Sequence, residues 1–113
     1  MTPTDRTRAW YTSTSTTHPR PVYVLGRVER HIKPGFGAGF RKDLFGLFDF
    51  IGMRHGEPLL GIQSCDDTFK AHFDKMTVDG AELLALWLST GANAELISWR
   101  RRKAGMTCKI HRF

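Results

Sequence analysis

The chain has 113 residues, 41% of them hydrophobic and 25% charged, which is ordinary globular usage and sets aside wholesale disorder. One compact domain accounts for that length, because two halves would each be too small to bury a core without metals or disulfides. Lys and Arg number 17 against 11 Asp and Glu, a net charge of +6. Six of those cations (Arg100, Arg101, Arg102, Lys103, Lys109 and Arg112) follow Trp99 with no acid among them, so the whole excess sits at one end. Such an asymmetry suits contact with a polyanion better than general solubility. No uncharged apolar run is long enough to span a bilayer. The first residues, with Asp5, Arg6 and Arg8 among threonines, lack the apolar stretch of a secretory signal. The expectation is a cytoplasmic protein with no membrane partner. Cys65 and Cys108 are too few for a disulfide scaffold and read as reduced and mostly buried.

Residues 1 to 20 are expected to be poorly structured or short helical, with Trp10 and Tyr11 packed inward and the Ser/Thr run after them ending any helix. Residues 21 to 113 form the single domain. Between 22 and 32, Val22, Val24, Gly26 and Val28 alternate with Tyr23, Leu25, Arg27 and Glu29, which predicts one strand. Pro34-Gly35-Phe36-Gly37-Ala38-Gly39-Phe40 then reads as a loop carrying two aromatics. Residues 47 to 53 and 59 to 65 are two apolar strands with a turn signal at Gly56 between them, and a hairpin is the simplest connection.

After Cys65 the periodicity becomes helical. Asp66 can cap a helix whose Phe69, Phe73 and Met76 form one stripe. Residues 77 to 79 break it, and Asp79 with Glu82 makes a capping-box pattern for a second segment. Leu83, Leu84, Trp87 and Leu88 are its expected buried face, with Gly91 as the stop. Residues 95 to 103 read as a strand running into the basic cluster, and residues 106 to 113 as a last short strand beside it. The fold class is therefore α/β (α+β), with a mixed central sheet flanked by helices. The link from residue 65 to residue 95 is long enough for a crossover to a parallel strand.

Two polar residues interrupt apolar strands. Asp49 lies in Leu47-Phe48-Asp49-Phe50-Ile51, where an unpaired carboxylate is costly to bury. It is either a solvent-facing or salt-bridged position, with Arg41 or Lys42 as partner, or a metal ligand or catalytic acid. Gln63 lies in Leu60-Gly61-Ile62-Gln63-Ser64-Cys65, on the face it shares with Cys65. A three-residue hairpin loop over 55 to 57 sets Arg54 opposite Pro58 and Asp49 opposite Gln63, whereas a two- or four-residue loop splits that pair between faces.

The order helix, three strands, helix and strand, with Arg41-Lys42-Asp43-Leu44-Phe45-Gly46-Leu47-Phe48-Asp49-Phe50-Ile51 followed by Gly61-Ile62-Gln63-Ser64-Cys65, resembles the PD-(D/E)XK nuclease superfamily. The resemblance covers roughly residues 22 to 103 and is closest to small members related to Holliday-junction resolvases and restriction endonucleases. It implies a restriction-endonuclease-like αβββαβ core in which an Asp on the second strand works with a Glu-x-Lys on the third. Asp49 then corresponds to the metal-binding aspartate, Gln63 stands in the position of the Glu and Cys65 in that of the Lys. Glu29 corresponds to an additional early acid, although it falls on a strand. An amide oxygen brings no charge to a hard cation, and a thiol does not replace an ammonium, so Lys42, Lys70 and Lys75 are the candidate substitutes. Asp43 either adds a ligand or caps the turn before Leu44.

What the resemblance implies is metal-dependent hydrolysis of DNA phosphodiesters, with branched or structured DNA among the substrates. Asp49, Gln63 and the backbone carbonyl of Ser64 would hold Mg²⁺ or Mn²⁺, and Asp49, Gln63, Glu29 and Lys42 would be the catalytic set. Arg41, Lys42, Trp99, Arg100, Arg101, Arg102 and Lys103 are the expected nucleic-acid contacts, cations with an aromatic beside them. Two-fold DNA substrates also suit a homodimer. The alternatives are a catalytically inactive nuclease-fold protein that binds nucleic acid or a partner, and a zinc site drawn from Cys65, His72, Cys108 and His111.

Overall fold

A computed structural model describes residues 2–13, 22–32 and 40–113. In chain order its elements are α1 (Pro3–Thr12), β1 (Val24–Arg27), β2 (Arg30–Ile32), β3 (Phe40–Lys42), β4 (Phe50–Met53), β5 (Leu60–Cys65), α2 (Phe69–Asp74), a π-helical segment (Lys75–Asp79), α3 (Ala81–Ser89), β6 (Asn93–Arg102) and β7 (Gly105–Arg112). The fold is α+β, with a five-stranded mixed sheet in the order β1-β4-β5-β6-β7 and a separate two-stranded ribbon of β2 and β3. Strands β5 and β6 are parallel and every other pair is antiparallel. Among the described residues no helix is long and apolar enough to cross a membrane.

The helix α1 begins at Pro3 because Thr2 and Asp5 form a capping box, each satisfying a backbone N–H of the other, with Pro3 in the first turn. Its inner side covers one face of the sheet. There Tyr11, Tyr23, Phe50, Leu60, Ile62, Ile97 and Trp99 are buried together. The polar groups of this layer are matched: the Trp99 indole N–H donates to Thr7 at 3.0 Å, and the Tyr11 hydroxyl donates to Glu95 at 2.7 Å. Arg112 completes the set, reaching the other Glu95 oxygen at 2.8 and 2.9 Å.

The crossover from β5 to β6 covers the opposite face, where Leu47, Phe48, Cys65, Met76, Leu84, Ala94 and Leu96 are buried. Phe48 lies so close over β5 that a Cβ on Gly61 would stand 2.6 Å from its ring. A tight turn, with Phe45 at φ 56° and Gly46 at φ 69°, swings Leu47 and Phe48 inward ahead of β4. The second expected strand therefore starts at Phe50 rather than at residue 47, because residues 44 to 48 hydrogen-bond among themselves.

Three further expectations give way to local geometry. The strand over residues 22 to 32 is broken: Val28 and Glu29 both present their N–H to the carbonyl of Asp49, at 2.9 and 3.3 Å, a β-bulge. Asp66 does not cap α2 but accepts from the Thr68 hydroxyl, and Asp79 does not cap α3, whose N-cap position is Gly80. Leu83 is 45% exposed, whereas Leu84 is buried. The π-helical segment explains this, since its Gly80 N–H bonds back five residues to Lys75 (2.9 Å) and the wider turn rotates the face that follows. The glycine loop with Phe36 and the threonines from residue 14 onward lie outside the described residues.

Candidate functional site

The pairing of Phe50 with Ile62 and of Ile51 with Gly61 is the register that, carried one step further, sets Asp49 opposite Gln63. Asp49 is held at this point by its own N–H, which donates to the carbonyl of Ile62 at 2.8 Å. The residue is 6% exposed. Both the backbone N–H and the hydroxyl of Ser64 donate to Asp49 Oδ2 at 2.9 Å, so Ser64 orients the carboxyl group through two donors. Ser64 therefore meets Asp49 through its N–H and Oγ, atoms other than the carbonyl oxygen expected to hold a metal.

The bulge brings the next acid in. In an unbroken strand Glu29 would face away from Asp49, because neighbours alternate sides. The extra residue turns its carboxylate toward Asp49, beside the Arg27 guanidinium at 3.3 Å. Asp43 arrives from the turn before β4. Its backbone carbonyl accepts from Gly46 at 3.1 Å, and its side chain joins the acids, so it serves as both turn residue and cluster member. Ligand oxygens of Glu29, Asp43 and Asp49 all lie within 4.8 Å of one another.

Two further side chains donate to this cluster. Lys75, at the first position of the π-helical segment, places Nζ 3.0 Å from Asp43 Oδ2. The Gln63 amide, oriented with its nitrogen toward the acceptors, donates to Asp43 Oδ2 at 3.1 Å and to the carbonyl of Leu47. Gln63 therefore stands in the cluster as a hydrogen-bond donor. Of the candidate lysines, Lys75 reaches the acids, Lys70 pairs with Asp74 at 2.8 Å, and Lys42 is exposed on β3 and does not line the cavity. The backbone of Arg41 is on β3 as well.

The charges are arranged unequally. Burial, reinforced by the neighbouring Asp43 carboxylate, pushes the Asp49 carboxyl up to about 7 against the opposing pull of the Ser64 hydrogen bonds. Burial acts on Asp43 too, but hydrogen bonds from Asp49, Lys75 and Gln63 hold its carboxyl below the usual carboxylate range. The pair is thus one carboxylate and one readily protonated acid. Burial also pushes the adjacent Cys65 thiol up to about 11, which leaves it a poor nucleophile.

These residues line a cavity of about 390 Å³ whose rim carries Thr2 and Thr4 from the start of α1, Asp66, and His72 from α2. Three carboxylates on one side of a cavity are a hard, anionic oxygen set of the kind that Mg²⁺ or Mn²⁺ takes. The residues present therefore fit such an ion, with Glu29 and Asp43 joining Asp49. Among the described residues this is the one group of three acidic, histidine or cysteine side chains with ligand atoms close enough to share a metal. The alternative zinc set does not assemble as a group. His111 instead packs edge-on against Phe73 and Phe113, and both cysteines are free.

The basic run divides on folding. Trp99 is buried against α1, whereas Arg100, Arg101, Arg102 and Lys103 are exposed on the β6–β7 hairpin. Cys65, the last residue of β5, pairs with Ser98, so β6 and β7 extend past the end of β5 where the acids lie. Clefts at the carboxyl ends of parallel strands are common ligand sites in α/β sheets. Asp49 and Gln63 were readable as polar interruptions, but Lys75 gave no such signal, because a lysine within a helical stretch is ordinary. Compared with family models, with curated proteins and with solved structures, the chain matches none.

Proposed function

We propose that the protein is a divalent-cation-dependent nuclease of the PD-(D/E)XK type that hydrolyses DNA phosphodiesters at the Glu29–Asp43–Asp49 cluster. The observation that carries this reading is the convergence of three carboxylates and one lysine in a single cavity, built from four separate chain segments. Supporting it are the helix, three antiparallel strands, helical crossover and parallel strand that precede β7, and an exposed basic hairpin at the same end of the sheet.

Glu29, Asp43 and Asp49 would hold Mg²⁺ or Mn²⁺, which supplies Lewis-acid polarisation of the phosphodiester and a water of lowered pKa. The chain's own groups do the positioning. Ser64 fixes Asp49 through two donors, and Gln63 fixes Asp43 through one. Lys75 is half exposed, so its ammonium can exchange Asp43 for a phosphate oxygen and offset charge that develops there. In this arrangement Lys75 supplies the cation that Cys65 cannot.

A second reading, a non-catalytic nucleic-acid or partner-binding protein on the same fold, is favoured by one observation. Lys75 and Gln63 already satisfy Asp43, which is how an acid pair persists without a metal. The test is cleavage of labelled duplex, single-stranded and four-way-junction DNA with Mg²⁺, Mn²⁺ or chelator, beside Asp49→Ala and Lys75→Ala. Metal-dependent cutting that disappears in the Asp49 variant and falls in the Lys75 variant is expected. Binding without cutting in all three proteins establishes the second reading, and cutting that survives Asp49→Ala removes this site from the chemistry.

A further inference from the structure

The β6–β7 hairpin carries a second cavity, of about 400 Å³, that the acidic cluster does not use. Strand alternation puts Arg100 and Arg102 on one side of β6, and the antiparallel register sets Thr107 of β7 opposite Arg100 and Lys109 opposite Ser98. Those residues line the cavity with Phe69 and Asp67, whereas Arg101 and Lys103 do not. Lys109 Nζ stands 4.2 Å from the centre of the Phe69 ring, a cation–π contact that holds the ammonium at the wall. Among the described residues no carboxylate pairs with Arg100, Arg102 or Lys109. Three cations with no ion-pair partner therefore face one groove, which Asp67 also lines.

The groove adjoins the acidic cavity. Asp66 lines the first cavity and Asp67 the second, so consecutive residues of one loop divide the two. Arg100 and Arg102 are two residues apart on a strand, roughly 7 Å, which is close to the separation of neighbouring phosphates on an extended nucleic-acid strand. We propose that this groove is the seat of a nucleic-acid backbone, with Arg100 and Arg102 taking successive phosphates and Lys109 a third, so that the strand runs over the Asp66–Asp67 divide toward the acidic cluster. The inference rests on the nucleic-acid reading above and narrows it. One face of the basic run binds, and the other face, with Arg101 and Lys103, contributes only general charge. Asp67 is the one acid in the groove, and it opposes the same ligand.

The test is binding of a labelled single-stranded oligonucleotide to the full chain in chelator, so that cleavage plays no part, read by fluorescence anisotropy across a salt series. Arg100→Ala/Arg102→Ala should weaken binding about tenfold or more near 100 mM salt and flatten the log–log salt slope by between about 1 and 2. Arg101→Ala/Lys103→Ala removes the same charge and should cost less than about threefold, with little change of slope. Asp67→Asn should tighten binding. All four arginine and lysine positions are exposed on the hairpin, and thermal melting verifies that the variants fold alike. Equal losses from the two double variants would overturn the proposal in favour of undirected charge, and no loss from either would overturn it outright. Competition by polyglutamate as effective as by unlabelled strand would also overturn it. A groove that binds as described in a protein that never cuts sinks catalysis and spares the groove, whereas cutting that survives the Arg100 and Arg102 changes at full rate sinks the groove and spares catalysis.

Discussion

Two carboxylates are buried to nearly the same degree on opposite sides of the sheet, Glu95 at 7% exposure and Asp49 at 6%, and their surroundings differ in kind. Glu95 faces a guanidinium and a phenol, one for each oxygen, and is neutralised in place. Asp49 faces two donors from one serine and, on its other side, two more acids. The first arrangement ties α1 and β7 to the sheet. The second holds like charges together, a cost that the fold alone does not require. The contrast separates a charge neutralised by its own partners from one held among other acids.

The largest test of that contrast is Glu95→Ala, which leaves Arg112 and Tyr11 without their partner and should destabilise the protein by about 3 kcal/mol in urea unfolding. Added Mn²⁺ should work on the other side of the sheet: at roughly one hundred times its dissociation constant it should raise stability by about 2.7 kcal/mol. Asp49→Asn should remove most of that response, and a full response in the variant would place the ion elsewhere.

Without metal, the same Asp49→Asn change should stabilise. The folded carboxyl, at about 7, lies above its unfolded value, so the native state holds the extra proton and wild-type stability falls as the pH rises from the unfolded value through about 7. An asparagine keeps the hydrogen bonds of the protonated acid and has no proton to lose. Its advantage should be absent near pH 3.5, open through that window, and level off above it at on the order of 2 kcal/mol. A melting difference independent of pH would show that Asp49 does not titrate in this window. Smallest of the four, Lys75→Met should cost about 1 kcal/mol near pH 8, because its ion pair with Asp43 is half exposed.

Much of this arrangement was legible from alternation. The period-two pattern put Gln63 and Cys65 on one face and Leu60, Ile62 and Ser64 on the other; the two cores separate Cys65 from Leu60 and Ile62 in that way, whereas the Ser64 hydroxyl donates to Asp49, opposite Gln63. The hairpin register that sets Asp49 opposite Gln63 followed from a three-residue loop, and the observed ladder keeps it. The bulge at Val28 and Glu29 was not legible, because the alternation continues smoothly through it and a bulge adds a residue without altering the pattern. Lys75 lies 32 positions from Asp43, and their approach is a tertiary contact that no local pattern announces. The π-helical turn moved Leu83 to the surface. Where one strand or one hairpin determined a position, composition sufficed; where an inserted residue shifted the register, it did not.

The bonds that fasten α1 to the sheet also set the order in which the chain can fold. Thr7 and Trp99 are 92 positions apart, and Tyr11 and Glu95 are 84 apart. Closing loops of that length comes late, after β4 and β5 have zipped across a short hairpin. A ten-residue helix is too short to persist alone in water, and the two side-chain bonds that fix α1 to β6 close only once that strand is in place. Because Thr2 and Thr4 at its start form part of the cavity rim, the floor with Asp49 and Gln63 is laid first and the rim last. In refolding, the Trp99 environment is therefore the late reporter, and the acid cluster stands open to solvent until it changes.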